Sequence, residues 1–165
     1  MQSLQQSVQS VINEGRIGSP VFLRCMLQIP IEGENIVQVT AALAALANTW
    51  MPSSPEQIYV QESADAIQST AMIQYSGGQT ATVSVNCIPP DTRKINSTFD
   101  QTFLKFEEAS VDLILIGNKG AIYHETPMGR HRLMKGRIEL SGGENLVNVI
   151  NQAIRTGKPV NFNQP

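Results

Sequence analysis

The chain carries little charge and few aromatic side chains. Its 165 residues include 12 Lys and Arg and 14 Asp and Glu, so that 16% are charged and the net charge is -2. Soluble domains contain about 25% charged residues on average, and here Gln, Asn, Ser and Thr supply much of the polarity instead. Because the chain has no basic excess, its composition gives no electrostatic case for binding nucleic acid or an anionic membrane.

Cysteines and long apolar segments are also scarce. Cys25 and Cys87 lie in separate apolar runs without a CxxC motif, which predicts buried free thiols rather than a disulfide or a metal pair. No apolar run approaches the roughly 20 residues that cross a bilayer. The first ten residues, MQSLQQSVQS, lack the basic segment and the apolar run of a secretion signal. We therefore expect a cytoplasmic protein without a membrane segment.

The spacing of apolar residues predicts a single α+β domain over residues 1–165. Helical spacing occurs at both ends of the chain, a third segment is rich in alanine, and the segments between them alternate with a period of two. Short Gly-containing turns favour antiparallel pairing, so the expected fold is an open, mainly antiparallel sheet with helices on one face. The predicted helices are 4–15, 33–50 and 144–155, and the predicted strands are 21–29, 57–62, 66–75, 80–87, 102–107, 111–116 and 121–125, with a hairpin at 129–140.

Few residues with catalytic or ligand-binding chemistry cluster in the sequence. The chain has no GxGxxG motif, and its two histidines, His124 and His131, lack metal-ligand spacing to Cys, Asp or Glu. The basic set Arg130, Arg132 and Lys135 could bind a carboxylate or a phosphate; the alternative is a solvated hairpin or the rim of a dimer contact. The residues therefore predict no catalytic group, no cofactor-binding residue and no metal site, and one candidate anion contact.

Four segments resemble one oxidoreductase family in their order and spacing. INEGRIGSPVFLR (12–24) resembles the helix, Gly-x-Ile-Gly-x-Pro turn and first strand of that family's C-terminal domain. Residues 63–87, 113–123 and 153–160 resemble its Glu-Asp-x-Ala strand with a Gly-bearing hairpin, its Gly-x-x-Gly hairpin and its closing helix. The family is that of the glucose–fructose oxidoreductase and inositol dehydrogenase-like enzymes (Gfo/Idh/MocA), which depend on NAD(P). The resemblance implies a fold like the glyceraldehyde-3-phosphate dehydrogenase C-terminal domain, whose open sheet packs against the same sheet of another subunit.

The chain also departs from the family pattern. The family's Rossmann domain and Glu-Lys-Pro motif have no counterpart in the sequence, so the resemblance implies NAD(P) for the parent family and no cofactor bound by this chain alone. In the family, an Asp and a His at helical spacing follow the first strand. The matching segment, residues 31–50, contains neither, and Leu43 stands near the position of the His. An alkyl side chain cannot exchange a proton, so no catalytic residue is carried over.

The sequence leads to three hypotheses about function. The first is a non-catalytic scaffold derived from an NAD(P)-dependent oxidoreductase, which self-associates as a dimer or tetramer through its sheet. The second is the substrate-binding and oligomerisation half of a sugar- or polyol-type oxidoreductase, whose Rossmann domain is on another chain or was truncated. The third is a small-molecule binding module that uses Arg130, Arg132 and Lys135.

Overall fold

The computed structural model describes residues 4–29, 36–87, 97–99, 104–106, 110–124, 138–140 and 142–162. One helix lies near each end of this part of the chain, and a third follows the first strand, as the apolar spacing predicts. In chain order, the elements are α1 (Leu4–Asn13), β1 (Pro20–Ile29), α2 (Ile36–Trp50), β2 (Pro55–Glu62), β3 (Gln68–Tyr75), β4 (Thr80–Cys87), β5 (Ser97–Phe99), β6 (Leu104–Phe106), β7 (Ser110–Gly117), β8 (Ala121–His124), β9 (Ile138–Leu140), α3 (Val147–Thr156) and β10 (Val160–Asn161).

Seven strands form one sheet in the order β10-β2-β3-β4-β1-β7-β8. Neighbouring strands are antiparallel except β1 and β4, which are parallel from the Phe22–Thr80 pair to the Ile29–Cys87 pair. The prediction of a mainly antiparallel sheet in an α+β fold is confirmed. The parallel pair is possible because α2, β2 and β3 lie between the two strands in the chain, so the connection is long enough to bring β4 back in the direction of β1.

A second sheet contains the short strands β5, β6 and β9, which pair antiparallel in the order β5-β6-β9. The sequence predicted one continuous strand series and did not separate these strands from the main sheet. Of the strand predicted at 102–107 the structure describes β6, and of the hairpin predicted at 129–140 it describes β9; the other residues of both predictions lie outside the described residues. Three-residue strands are too short to show a period-two pattern, so sequence alternation cannot assign them to a sheet.

One face of the seven-stranded sheet forms the hydrophobic core, and we call it the inner sheet face. Period-two alternation directs every second side chain to this face, and the cross-strand register aligns them into continuous apolar rows. The helices α2 and α3 pack on this side, α2 against β3 and β4 and α3 against β2. Its buried residues are Leu23, Cys25, Leu27, Ile29, Ile58, Val60, Ala71, Ile73, Ala81, Val83, Val85, Val111, Leu113 and Leu115.

The alanine-rich helix α2 allows a close backbone approach in the core. Ala41, Ala42 and Ala44 are buried, and the segment that leads into α3 passes directly over them. A Cβ on Gly143 would lie 2.5 Å from both the carbonyl carbon and the carbonyl oxygen of Ala41, and Gly143 has a φ of 88°. Both observations require glycine at this position, because an L side chain disfavours that backbone region and would overlap the helix.

Helix α3 is bounded much as its sequence predicts. Residues Glu144–Leu146 form a single turn of 3₁₀ helix before the α-helix begins. At the other end Gly157 adopts a φ of 63°, and its N–H donates to the carbonyl oxygen of Ala153 at 3.0 Å. This left-handed cap satisfies a carbonyl that the helix leaves open. The helix predicted to end at residue 155 therefore ends one residue later, at Thr156.

Strand β3 begins two residues later than its apolar pattern predicts. Ala66 has a φ of 57°, and the N–H of Gln68 donates to the Ser63 hydroxyl at 3.0 Å, so residues 63–67 form a turn. Ile67, which shares the parity of the buried β3 residues, is 47% exposed as a result. The alternation alone misplaced it because a side-chain hydrogen bond to the backbone competes with strand pairing.

Candidate interaction face of the sheet

The face opposite the core carries the second set of alternating strand side chains, and we call it the outer sheet face. The register places these residues in rows across the sheet; one row is Tyr59, Met72, Thr82, Arg24 and Ile114. Most are half-buried by their neighbours or exposed. The outer sheet face contains Phe22, Arg24, Met26, Gln28, Gln57, Tyr59, Gln61, Gln68, Thr70, Met72, Gln74, Thr80, Thr82, Ser84, Asn86, Asp112, Ile114, Ile116 and Ala121.

The outer sheet face is almost free of charge. Among its residues just defined, Arg24 and Asp112 are the only members of the set Lys, Arg, Asp and Glu, and most of the other polar residues are Gln, Asn, Thr and Ser. Large apolar side chains lie among them, and Met72 is 45% exposed. Depletion of charge combined with Met and aromatic side chains is typical of the central part of protein–protein interfaces. The face therefore has the composition of a contact surface.

Arg24 and Asp112 form an ion pair between β1 and β7, toward the β8 edge of this face. Strands β1 and β7 are antiparallel, with Arg24 opposite Ile114 and Met26 opposite Asp112, so the two charged side chains are diagonal neighbours. Arg24 Nη2 lies 3.6 Å from Asp112 Oδ2, and the side chains are 40% and 35% exposed. Arg24 Nε and Asp112 Oδ1 are buried without a hydrogen-bond partner. The pair is therefore loose, and part of its hydrogen-bonding capacity is unmet.

A second polar contact on this face is fully paired. The hydroxyl groups of Thr70 and Ser84, which are opposite each other on β3 and β4, share a hydrogen bond. Ser84 is buried although it belongs to the outer sheet face, because its neighbours surround it. At the sheet edge, Gln57 Nε2 donates to Asn161 Oδ1 at 3.3 Å. Within the described residues of the outer sheet face, Arg24 and Asp112 are therefore the residues that keep a buried side-chain atom without a hydrogen-bond partner.

The two thiols lie on the inner side of the sheet and are expected to be unreactive. Cys25 and Cys87 are free and buried, which confirms the prediction from their apolar surroundings. Burial, together with the nearby negative charge of Asp112, raises the pKa of Cys25 to about 12, and burial also raises the pKa of Cys87. Since the thiolate is the reactive form, neither residue is suited to act as a nucleophile at neutral pH.

The position that the family resemblance assigns to a histidine lies in the core. Leu43 is 3% exposed within α2, whose buried side packs on β3 and β4. Between β3 and α2, the Tyr75 hydroxyl donates to Asn48 Oδ1 at 2.7 Å. Burial raises the pKa of Tyr75, so its phenol stays protonated and acts as a structural donor.

The basic residues Arg130, Arg132 and Lys135, and with them His131, lie outside the described residues, so the predicted anion contact stays a prediction. His124 ends β8, and its backbone pairs opposite Leu113. Within the described ranges, no group of three or more His, Cys, Asp or Glu side chains is arranged to hold a metal ion. No helix in the same ranges is long and apolar enough to cross a membrane.

Sequence reasoning did not single out the Arg24–Asp112 pair. A signal for it existed, because VFLRCMLQI and VDLILI are apolar strands that each contain one charged residue of opposite sign. What the sequence could not supply is the pairing of β1 with β7, whose residues 24 and 112 are far apart along the chain. The structure brings the two charges to the same face and the same part of the sheet.

Comparison with known proteins finds similarity in structure only. No protein-family model matches the sequence, and no curated protein matches it. A myo-inositol dehydrogenase from Corynebacterium glutamicum is similar over 98% of this chain and 62% of its own, with a TM-score of 0.64 and 10% identity. A myo-inositol 2-dehydrogenase from Lactobacillus plantarum is similar over 97% of this chain and 62% of its own, with a TM-score of 0.62 and 15% identity. A scyllo-inositol dehydrogenase from Lactobacillus casei was solved with bound NAD(H) and scyllo-inositol. It is similar over 97% of this chain and 62% of its own, with a TM-score of 0.62 and 10% identity.

These structures share their fold with almost the whole of this chain, while the chain spans about 62% of their length. Sequence identities of 10–15% establish the fold, and the fold agrees with the resemblance found in the sequence motifs. The match confirms the expected architecture of one mainly antiparallel sheet with three helices. The chain therefore has the fold of the C-terminal domain of the glucose–fructose oxidoreductase and inositol dehydrogenase-like enzymes.

Proposed function

We propose that this chain is a non-catalytic scaffold domain that self-associates through its outer sheet face. The observation that carries the proposal is the composition of that face, where a single ion pair stands among Gln, Thr, Met, Ile and aromatic side chains. A sheet face that remains exposed to solvent normally carries several charged side chains. Packing two such faces together removes apolar area from water without burying many ionised groups.

The size of the outer sheet face is adequate for a stable dimer. Five strands at about 4.8 Å spacing and about seven residues at 3.3 Å rise give a patch of roughly 24 by 23 Å. Side-chain relief makes the accessible area of this patch larger than its projection. It is therefore comparable with the approximately 800 Å² that each partner contributes to a standard interface. A face of this size accommodates one partner sheet without help from the edges.

The non-catalytic part of the proposal rests on the inner side of the chain. The side chain of Leu43 has no exchangeable proton and is buried on α2. The thiol of Cys25 is held protonated by burial and by Asp112, so it offers no nucleophile at neutral pH. Both cysteines are free, as is usual in the reducing cytoplasm, and a cytoplasmic location is part of the proposal.

A second candidate function is the substrate and oligomerisation half of a sugar- or polyol-type oxidoreductase. The observation that favours it is the coverage of the structural matches, which include almost all of this chain and about 62% of each dehydrogenase. In that case an NAD(P)-binding Rossmann domain would be supplied by another chain or by another part of a longer polypeptide. The outer sheet face would serve the same self-association in either case.

The test is the solution mass by light scattering, with and without NAD(H) and NADP(H). The scaffold proposal predicts a dimer or tetramer whose mass does not respond to either nucleotide. A monomer at high protein concentration would contradict it. Nucleotide binding by the chain would contradict the expectation that it binds no cofactor alone, and nucleotide binding only after a Rossmann-domain protein is added would favour the second candidate.

Two matched variants locate the contact surface. Met72→Glu places a charge on the outer sheet face, where Met72 is 45% exposed, and Ile67→Glu places one at a similarly exposed apolar site in the turn before β3. We expect Met72→Glu to shift the mass toward the monomer and Ile67→Glu to leave it unchanged. If both variants keep the wild-type mass, the chain associates through another surface.

A further inference from the structure

We infer that Arg24 and Asp112 select a second copy of this chain as the partner of the outer sheet face, each residue pairing with the other across the two-fold axis of a dimer. This inference rests on the proposed self-association and adds the residues that set its register and specificity. The occupant to which it commits is an identical chain. The argument uses the position of the two charges, their unmet hydrogen bonds and the symmetry of face-to-face packing.

The two charges are placed so that the face is complementary to itself. Two identical sheets that pack face to face are related by a two-fold axis lying between them, parallel to both sheets. An axis that passes between Arg24 and Asp112, perpendicular to the line joining them, exchanges the two positions. Each Arg24 then lies over the Asp112 of the partner copy. Stacked sheets are about 10 Å apart, a gap that a long arginine side chain spans.

The loose geometry of the Arg24–Asp112 ion pair within one chain also indicates a partner chain. The 3.6 Å separation of Arg24 Nη2 and Asp112 Oδ2 is longer than a charge-assisted hydrogen bond, which is about 2.7–2.9 Å. Within the described residues, neither side chain has another polar partner, and one atom of each is buried without a hydrogen bond. A partner copy supplies a second carboxylate for each guanidinium, so that four alternating charges replace two loosely paired ones.

Charge complementarity favours a copy of the same chain over an unrelated protein. The face has one positive and one negative group and no surplus of either sign. A strongly acidic or basic partner would leave one of the two groups opposite a like charge, which disfavours binding at an interface. The inverted copy of the same face meets both groups with opposite charges. Such pairs govern specificity and register more than total affinity.

The test exchanges the charges one at a time and measures association by light scattering and sedimentation. Arg24→Asp gives a face with two acids, and Asp112→Arg gives a face with two bases. We expect either variant alone to dimerise at least about tenfold more weakly than wild type. An equimolar mixture of the two is expected to form a heterodimer, because every group then faces an opposite charge.

The double variant Arg24→Asp with Asp112→Arg separates this inference from a general loss of folding. It restores one acid and one base, so we expect it to dimerise with itself and to form no heterodimer with wild type, where like charges would meet. Circular dichroism and thermal melting of each variant verify the fold. If single variants dimerise as tightly as wild type, or the mixture forms no heterodimer, the inference is overturned while self-association stands.

The same measurements identify a failure of the proposed function itself. A monomeric wild-type chain would overturn both proposals. A wild-type dimer that persists in Met72→Glu would place the contact elsewhere and would also overturn the role of Arg24 and Asp112. Dissociation by Met72→Glu without any response to the charge exchanges would retain the surface and reject the two-fold pairing.

Discussion

The two faces of the main sheet are built from the same strands and have opposite chemistry. Leu113 and Ile114 are adjacent on β7, yet Leu113 is fully buried on the inner sheet face and Ile114 is half-buried on the outer sheet face. The inner sheet face is mainly apolar, with Ser69 as a buried polar residue, and α2 and α3 pack on its β2, β3 and β4 strands. The outer sheet face mixes apolar and neutral polar groups around one ion pair. The comparison shows that the inner sheet face forms the core of the fold, while the outer sheet face is left partly exposed.

The largest expected contrast is in thiol accessibility at adjacent positions of β1. The native chain should show no fast reaction with a thiol reagent, since Cys25 and Cys87 are buried and protonated. Met26→Cys should add one fast thiol on the outer sheet face. We expect native Cys25 to react at least about a thousandfold more slowly than that new thiol, because its reaction requires opening of the core.

The measurement is a colorimetric thiol count over time. In a dimer, the thiol added by Met26→Cys should also become slower to react as protein concentration rises. A fast reaction of Cys25 in the native chain would show that the inner sheet face is open and would break the comparison between the two faces.

The second contrast is in stability at the adjacent residues of β7. Leu113→Ala removes a fully buried side chain and should lower the free energy of unfolding by about 4 kcal/mol, within the range for large-to-small core substitutions. Ile114→Ala removes a half-exposed side chain and should cost about 1 kcal/mol. Urea denaturation at low protein concentration, where the dimer does not contribute, gives both values. Equal losses at the two positions would mean that the outer sheet face is packed as tightly as the core.

The third and smallest contrast concerns the glycines that precede the last helix. Gly143→Ala places a Cβ 2.5 Å from the backbone of Ala41 at a φ of 88°, whereas Gly142→Ala has a similar φ of 86° and its nearest contact at 3.9 Å, on Ala45. Both substitutions strain the backbone by about 1 kcal/mol. We expect Gly143→Ala to cost about 2 kcal/mol more, because helix and loop must separate. Thermal or urea unfolding measures the difference, and equal costs would show that the loop adjusts freely over α2.

Much of the local structure followed from sequence pattern. The bounds of β4 were predicted at Thr80–Cys87, and β1 and the end of α2 were placed within one residue. These elements have long periodic patterns or clear Gly and Pro boundaries, which are the strongest local signals. The start of β3 was wrong by two residues, since the Ser63 hydroxyl and the left-handed Ala66 hold a turn that apolar alternation does not show.

Pairing between distant strands was beyond the reach of local patterns. The parallel contact of β1 with β4, the separate sheet of β5, β6 and β9, and the antiparallel contact of β1 with β7 join segments far apart in the chain. The family resemblance predicts that the sheet packs against the same sheet of another subunit. The composition of the outer sheet face, neutral polar with one ion pair, depends on which strands are neighbours.

The sequence by itself determined the α+β class, the alternation of each strand and the positions of the main turns, because these depend on side-chain period and on the backbone preferences of glycine and proline. Only the tertiary structure decided that Arg24 and Asp112 meet, that Leu43 is enclosed and that one sheet face stays open. Those features arise from strand order and register, which are fixed by how the whole core packs, and no single segment of the sequence contains that information.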